Sequence, residues 1–284
     1  MLPTSPHSNK SCENSDTSSG RTTIEYRSAD GRLERFPDLV AELVRLKVDV
    51  IVTRGTTGAL AAKNATRTIP IVMAGSGDPV QNGLVASLAR PGENVTGLST
   101  INSELVGKRL GLLKEAIPGI ARIAVVLNLS NPTLVTQRKQ MEVAARSLGF
   151  KTQFLDVRKP EDLGRAFDTA VKQRADAVHV GLDFLAQSNL GRIVDLAAKH
   201  RLPTIYSTRD FVDAGGLMAY GVSRLEMYRH AATYVDKIFK GAKPGNLPVE
   251  QPTKFELVIN LKTAKTLGLT IPQSMLLRAD EVLQ

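Results

Sequence analysis

The sequence predicts an α/β protein of two Rossmann-like lobes with parallel sheets. Three observations carry that expectation. Short runs such as VDVIVT (48–53) and IPIVMA (69–74) lack the polar alternation of a half-exposed strand, as expected of parallel strands covered on both faces. Stretches with helical apolar spacing lie between them. The chain also echoes itself: DVIVTRG leads through a helix to Ile69-Pro70-Ile71, and DAVHVG leads through a helix to Leu202-Pro203-Thr204. The echo favours two similar lobes over one eight-fold barrel.

The elements follow in order. Residues 1–20 are rich in Ser, Asn, Thr and Pro, so a disordered tail is expected there. TTIEY is a short strand. FPDLVAELVRLK is a helix with Leu39, Val40, Leu43, Val44 and Leu46 on its apolar stripe. VDVIVT is a strand, TTGALAAKNATR an Ala-rich helix, and IPIVMA a strand that ends in Gly75-Ser76-Gly77-Asp78-Pro79. NVTGLS is a further strand. A helix from about Ser103 to Ile117 carries Val106, Leu110, Leu113 and Ile117, and Pro118-Gly119 ends it.

IARIAVVLN is a strand, and Asn131-Pro132 starts a helix that Gly149 ends. KTQFLDV is a strand. EDLGRAFDTAVKQ is a helix with Leu163, Phe167, Ala170 and Val171 inward. ADAVHVGLD, LGRIVDLAAKH, LPTIYS and GLMAYG continue the alternation. Ser223 and Glu226 have the spacing of a capping box for a helix to about Lys240. KFELVIN and a short helix at LKTAKTLG close the chain. The expected division is 21–100 with about 222–248 for lobe one, and 101–221 with about 249–284 for lobe two.

Composition narrows the function. The 284 residues hold 37 Lys and Arg against 28 Asp and Glu, a formal charge of +9. The basic residues are scattered on helical stretches, as in Arg35, Arg45, Lys47, Lys108, Arg109 and Lys114, with no block of like charge. That pattern is a solvated surface rather than a nucleic-acid footprint, and no nucleic-acid partner is expected. One cysteine, Cys12, excludes an intramolecular disulfide and a cysteine-based metal site. No stretch reaches the roughly 18 apolar residues of a membrane span. The N-terminus shows no apolar core of a signal peptide.

Cofactor and catalytic motifs are incomplete. Gly75 and Gly77 begin a G-x-G-x-x-G pattern, but the third position is Val80. Gly107-Lys108 is followed by Arg109, and position 102 is Asn, so no P-loop forms. His7, His179, His200 and His230 share no metal-ligand spacing. No G-x-S-x-G elbow is present. No cofactor, metal or catalytic residue is expected.

Polar residues instead gather after the ends of buried strands: Arg54-Gly55-Thr56-Thr57, Gly75-Ser76-Gly77-Asp78, Asn128, Asp183 and Ser207-Thr208-Arg209. That edge of an open α/β sheet is where ligands sit. Two such edges facing each other make a cleft for a small polar molecule. A two-lobed enzyme such as a nucleotide-sugar transferase is the alternative, but it needs a diphosphate site and a base. A repressor-type regulator would need a helix-turn-helix ahead of lobe one.

Asp49–Thr53, Ile69-Pro70-Ile71-Val72, Asp78-Pro79-Val80, Gly83-Leu84-Val85, Arg90-Pro91-Gly92, Asn94-Val95-Thr96-Gly97, Gly215-Gly216-Leu217-Met218, Tyr220-Gly221 and the terminal QPTKFELVINLKTAKTLGLTIP resemble the tryptophan-type substrate-binding proteins of ABC transporters. The resemblance runs from about Gly20 to the end. It implies a type I periplasmic-binding fold that closes on a small molecule, possession of a permease partner, a monomeric state and a periplasmic location. The matching loop positions are Thr56, Thr57, Ser76 and Asp78 in lobe one, and Asn128, Asp183 and Tyr206 in lobe two. Met1–Ser19 departs from the pattern, which places a signal peptide, a first strand and a first helix there. The departure points to a truncated or wrongly started chain, and TTIEY would then lack its natural neighbour. Unpaired backbone groups in a buried sheet cost on the order of 1–3 kcal/mol each.

Overall fold

The computed structural model describes Lys10–Ser11 and residues 22–284. The rest of the polar tail, with Cys12 and His7, lies outside the described residues. Lys10–Ser11 (β1) pairs antiparallel with Thr23–Ile24 (β2) as a separate two-stranded ribbon. Helix α1 (Phe36–Arg45) follows, then β3 (Ile51–Thr53), α2 (Thr56–Ala65), β4 (Ile71–Ser76) and β5 (Val95–Ser99).

Strands β3, β4 and β5 form a parallel three-stranded sheet in that order. Strands β4 and β5 are buried throughout. They lie close because Gly97 has no side chain: a Cβ there would come within 2.4 Å of the Met73 carbonyl oxygen. Strand β3 departs from its expected two-faced burial. It is the edge of the sheet, and Val52 is 50 % exposed. On α1 only Val40 of the expected stripe is fully buried, and Leu46, just past the helix, is exposed.

The chain then crosses into the second unit. Here run α3 (Val106–Ala116), β6 (Arg122–Leu127), α4 (Pro132–Ser147), β7 (Lys151–Asp156), α5 (Asp162–Lys172), β8 (Ala177–Val180), α6 (Phe184–Ser188), α7 (Leu190–Lys199), β9 (Thr204–Tyr206), α8 (Asp210–Asp213) and β10 (Met218–Gly221). Helix α9 (Arg224–Phe239) returns to pack on β4 and β5. The chain ends with β11 (Glu256–Asn260), α10 (Leu261–Leu267), α11 (Gln273–Leu276) and β12 (Glu281–Leu283).

The second sheet has seven strands in the order β12-β11-β10-β9-β8-β6-β7. All neighbours are parallel except β10 and β11. The chain winds outward from β6 in both directions, so a topological switch point lies between β6 and β8. Apolar layers cover both faces. Leu110, Leu113, Leu134 and Met141 belong to one, and Leu163, Phe167, Ile193 and Phe211 to the other. Val171 is 44 % exposed rather than inward.

Two polar expectations change. Arg109 is not on the surface; it is fully buried in α3. Its Nε donates to the Tyr220 carbonyl at 2.7 Å, and its terminal nitrogens donate to the Asn102 carbonyl and side-chain oxygen at 3.0 and 2.8 Å. One guanidinium thus holds both stretches where the chain passes between sheets, and burial lowers its pKa to about 9. Ser223 stands at the start of α9 but makes no side-chain cap, and Glu226 pairs with Arg229 instead.

Candidate functional site

The two sheets present the C-terminal ends of their strands to each other. Between them lies a pocket that is partly open to solvent, a usual place for a small-molecule site. From the first lobe come Phe36, Arg54 and the start of α2 at Gly55–Gly58, with Gly75 and Gly77 after β4. From the second come Asn131, Thr133, Leu134, Gln137, Leu182, Asp183, Phe184 and Thr208. Val222, Arg224 and Met227 close one side.

Two charges oppose each other. Arg54 follows β3, and among the described residues it makes no ion pair or hydrogen bond. Desolvation, with the like charge of Arg224, lowers its pKa, offset in part by Tyr228, Asp210 and Asp183. Arg224, by contrast, is spent on Asp210 at 3.0 Å. Beside Arg54, Gly55 (φ 76°) leads into α2, and no side chain caps the first N–H groups of the helix. A guanidinium next to open helix N–H groups is an anion site.

Asp183 follows β8 at the switch point and caps α6. Its Oδ1 accepts from the Ala186 N–H at 2.8 Å, and its Oδ2 accepts from Asn128 Nδ2 at 2.8 Å. A carboxylate has about four acceptor sites, so these bonds do not exhaust it. Burial pushes the Asp183 pKa up to about 6, against hydrogen bonding from Ala186, Asn128 and Leu185 and the Arg54 charge. Phe36 and Phe184 meet edge-to-face across the cleft, with ring centroids 5.2 Å apart.

The Gly75–Pro79 stretch has a mechanical role. Gly75 (φ 102°) sits where the β4–β5 register shifts, a bulge that ends the strand. Gly77 leaves room for Thr133 of the other lobe, since a Cβ there would fall 2.2 Å from Thr133 Cγ2. Thr133 Oγ1 shares a 2.7 Å hydrogen bond with Thr56 Oγ1 and accepts from Asn82 Nδ2 at 3.2 Å. The lobes are therefore in direct contact beside the cavity.

Of the residues picked out in the sequence, the structure brings Thr56, Thr57 and Asp183 to the cavity wall. Asn128 is buried behind and orients Asp183. Ser76 is fully buried behind Thr56, 3.1 Å from its hydroxyl. Asp78 is exposed and accepts from the Gln81 N–H in a turn. Tyr206 is fully buried, stacked on Phe211 with centroids 4.5 Å apart. Phe36, Phe184, Gln137 and Thr133 went unmarked. The signal for Gln137 was present: it lies on the buried stripe Leu134, Gln137, Met141, Ala145 of α4. Among the described residues no group of three His, Cys, Asp or Glu is placed to hold a metal, and no helix is long and apolar enough to cross a membrane.

A cleft between two α/β lobes, lined by opposed charges and paired aromatic rings, defines a solute-binding protein. The model of the family described as ABC transporter substrate binding protein matches residues 11–283, and the chain belongs to that family. It is a family of substrate-binding proteins rather than enzymes, which bind small ligands, serve an ABC permease and typically act outside the cytoplasm. The chain is 28 % identical over 246 residues to a tyrosine-binding protein of Clostridioides difficile, covering 87 % of this chain and 70 % of that one.

Among the solved structures that resemble it is a conserved domain protein from Vibrio cholerae, at 30 % identity and a TM-score of 0.86, covering 91 % of this chain and 86 % of that one. Two others have a stated ligand state. One is an ABC domain in complex with L-Trp from Streptococcus pneumoniae, at 27 % identity and a TM-score of 0.82, covering 88 % of this chain and 86 % of that one. The other is the ligand-free, open structure of a substrate binding protein with adhesive properties from Clostridium difficile. It is 26 % identical with a TM-score of 0.61, covering 89 % and 83 %.

Proposed function

We propose that this protein binds an aromatic α-amino acid as its zwitterion and delivers it to an ABC importer in the periplasm. The opposed charges carry this reading. The ligand carboxylate goes to Arg54 and the open N–H groups of α2, and the ammonium goes to Asp183. Thr56 and Thr57 line the carboxylate end, and Asn128 holds Asp183 in place. The ring lies against Phe36, Phe184 and the apolar wall. The relatives named for tyrosine and crystallised with L-Trp support the same class.

We also propose that the protein acts as a monomer without nucleic acid. The proposed lobes are 21–100 with about 222–248, and 101–221 with about 249–284. In support, α9 packs on the first sheet while β11 and β12 extend the second. The test is a thermal-shift screen of the full chain against the standard amino acids. A ligand that binds only the folded form stabilises it by about 2.7 kcal/mol at a hundredfold excess over Kd. Aromatic amino acids should raise Tm by several degrees. A flat response across the panel overturns the reading.

A further inference from the structure

Once Arg54, Asp183 and Thr57 are assigned to the charged ends of a ligand, Thr208 and Gln137 still line the cavity with buried polar atoms that have no partner among the described residues, and only Gln137 has two of them. Gln137 lies on α4 one turn beyond Thr133, deeper in the second lobe. It is 1 % exposed, and neither Nε2 nor Oε1 has a hydrogen-bond partner among the described residues. Buried side-chain amides are bonded in the large majority of cases. Gln137 lines the cavity between apolar neighbours, Leu134 and Leu182. Gly181 faces it from β8's end, where a Cβ would lie 3.5 Å from Oε1 and only 2.4 Å from Leu127 Cδ2. The missing side chain lets Leu127 and Leu134 pack close beside the amide, so no other polar group of the chain reaches it from that side.

An amide with both its donor and its acceptor unspent, set in an apolar wall, matches a ligand group that also donates and accepts. A hydroxyl does both. A carboxylate would oppose Oε1, and an ammonium would oppose Nε2. We propose that Gln137 reads a hydroxyl on the ligand's side chain and makes the site prefer a hydroxylated aromatic amino acid over its bare-ring analogue. This rests on the amino-acid reading of the cleft. Sites built to hydrogen-bond a hydroxyl reject the analogue lacking it more strongly than apolar pockets reject an added hydroxyl.

The test is calorimetric titration of the full chain with L-tyrosine and L-phenylalanine, which differ by that one group. In the unaltered protein tyrosine should bind about tenfold more tightly or better. Gln137→Leu should bring the two within about threefold, chiefly by weakening tyrosine. Gln137→Met, which keeps the chain length, should do the same and serves if the leucine variant folds poorly. Tm of the ligand-free variants should equal or exceed that of the parent, since the unbonded amide is gone. Equal affinities in the unaltered protein, or a tyrosine preference that survives both substitutions, overturns the role of Gln137 alone. Failure of the unaltered protein to bind any amino acid removes the reading of the cleft, and this inference with it.

Discussion

The two lobes carry comparable loops on unequal supports. The first rests its site on three strands and the second on seven. In the second sheet β6 is buried but for Arg122, and β8 is buried throughout, with helices on both faces. In the first, β3 is an open edge with Val52 half exposed, and the β1–β2 ribbon does not pair with it. Their site groups differ in the same way. Asp183 is already fixed by two hydrogen bonds, whereas Arg54 has none among the described residues. The firmer lobe holds an anion already hydrogen-bonded in place, and the lighter lobe brings a cation with no partner among the described residues, the one that the proposed function gives to a ligand carboxylate.

The largest expected effect comes from the heavier core. Phe167→Ala should lower stability by about 3–5 kcal/mol, read from urea unfolding. If the loss is below about 1 kcal/mol, the second lobe is not the better-packed half. Next is the unpaired cation. Arg54→Gln should weaken amino-acid binding by about 1.5–3 kcal/mol, the worth of hydrogen bonds to a charged group, without lowering the stability of the free protein. Titration calorimetry and thermal unfolding check the two halves of that statement separately.

Asp183 gives a pH signature of opposite sign for binding and stability. Its pKa rises from 3.8 to about 6 on folding. Between those values the folded chain keeps a proton that the unfolded chain has lost. Its contribution to stability is therefore full below about pH 4 and declines as pH rises through 6. The ammonium of a ligand needs the ionised form, so affinity should fall about tenfold from pH 7 to pH 5. Asp183→Asn should flatten both profiles. The smallest effect belongs to the open edge: Val52→Thr should change stability by no more than about 0.5 kcal/mol. A larger loss would mean that β3 is covered.

Much of this was legible in the sequence, because strand–helix alternation and strand-end loops are local features. Thr56, Thr57 and Asp183 were found that way. Side-chain direction in a loop is not local, so Ser76 and Asp78 looked equivalent although one is buried and the other exposed. Tyr206 illustrates a second limit: on a strand covered on both faces, alternation does not say which side meets the cleft. Arg109 stands between Lys108 and Leu110 like any surface cation, and only the meeting of the two crossings at Asn102 and Tyr220 gives it a buried place. Val52 sits in an apolar run like those of the covered strands, and its exposure depends on which strand lies beside it.

The most direct test of the account compares an aromatic amino acid with analogues that each lack one charge. L-tyrosine, its amine without the carboxylate and its acid without the ammonium would be titrated calorimetrically into the full chain at pH 7. The opposed charges of Arg54 and Asp183 predict binding of the zwitterion and at least about a tenfold loss for each analogue, the cost of one charged hydrogen bond. Equal affinity for all three, or binding of the analogues alone, contradicts the account.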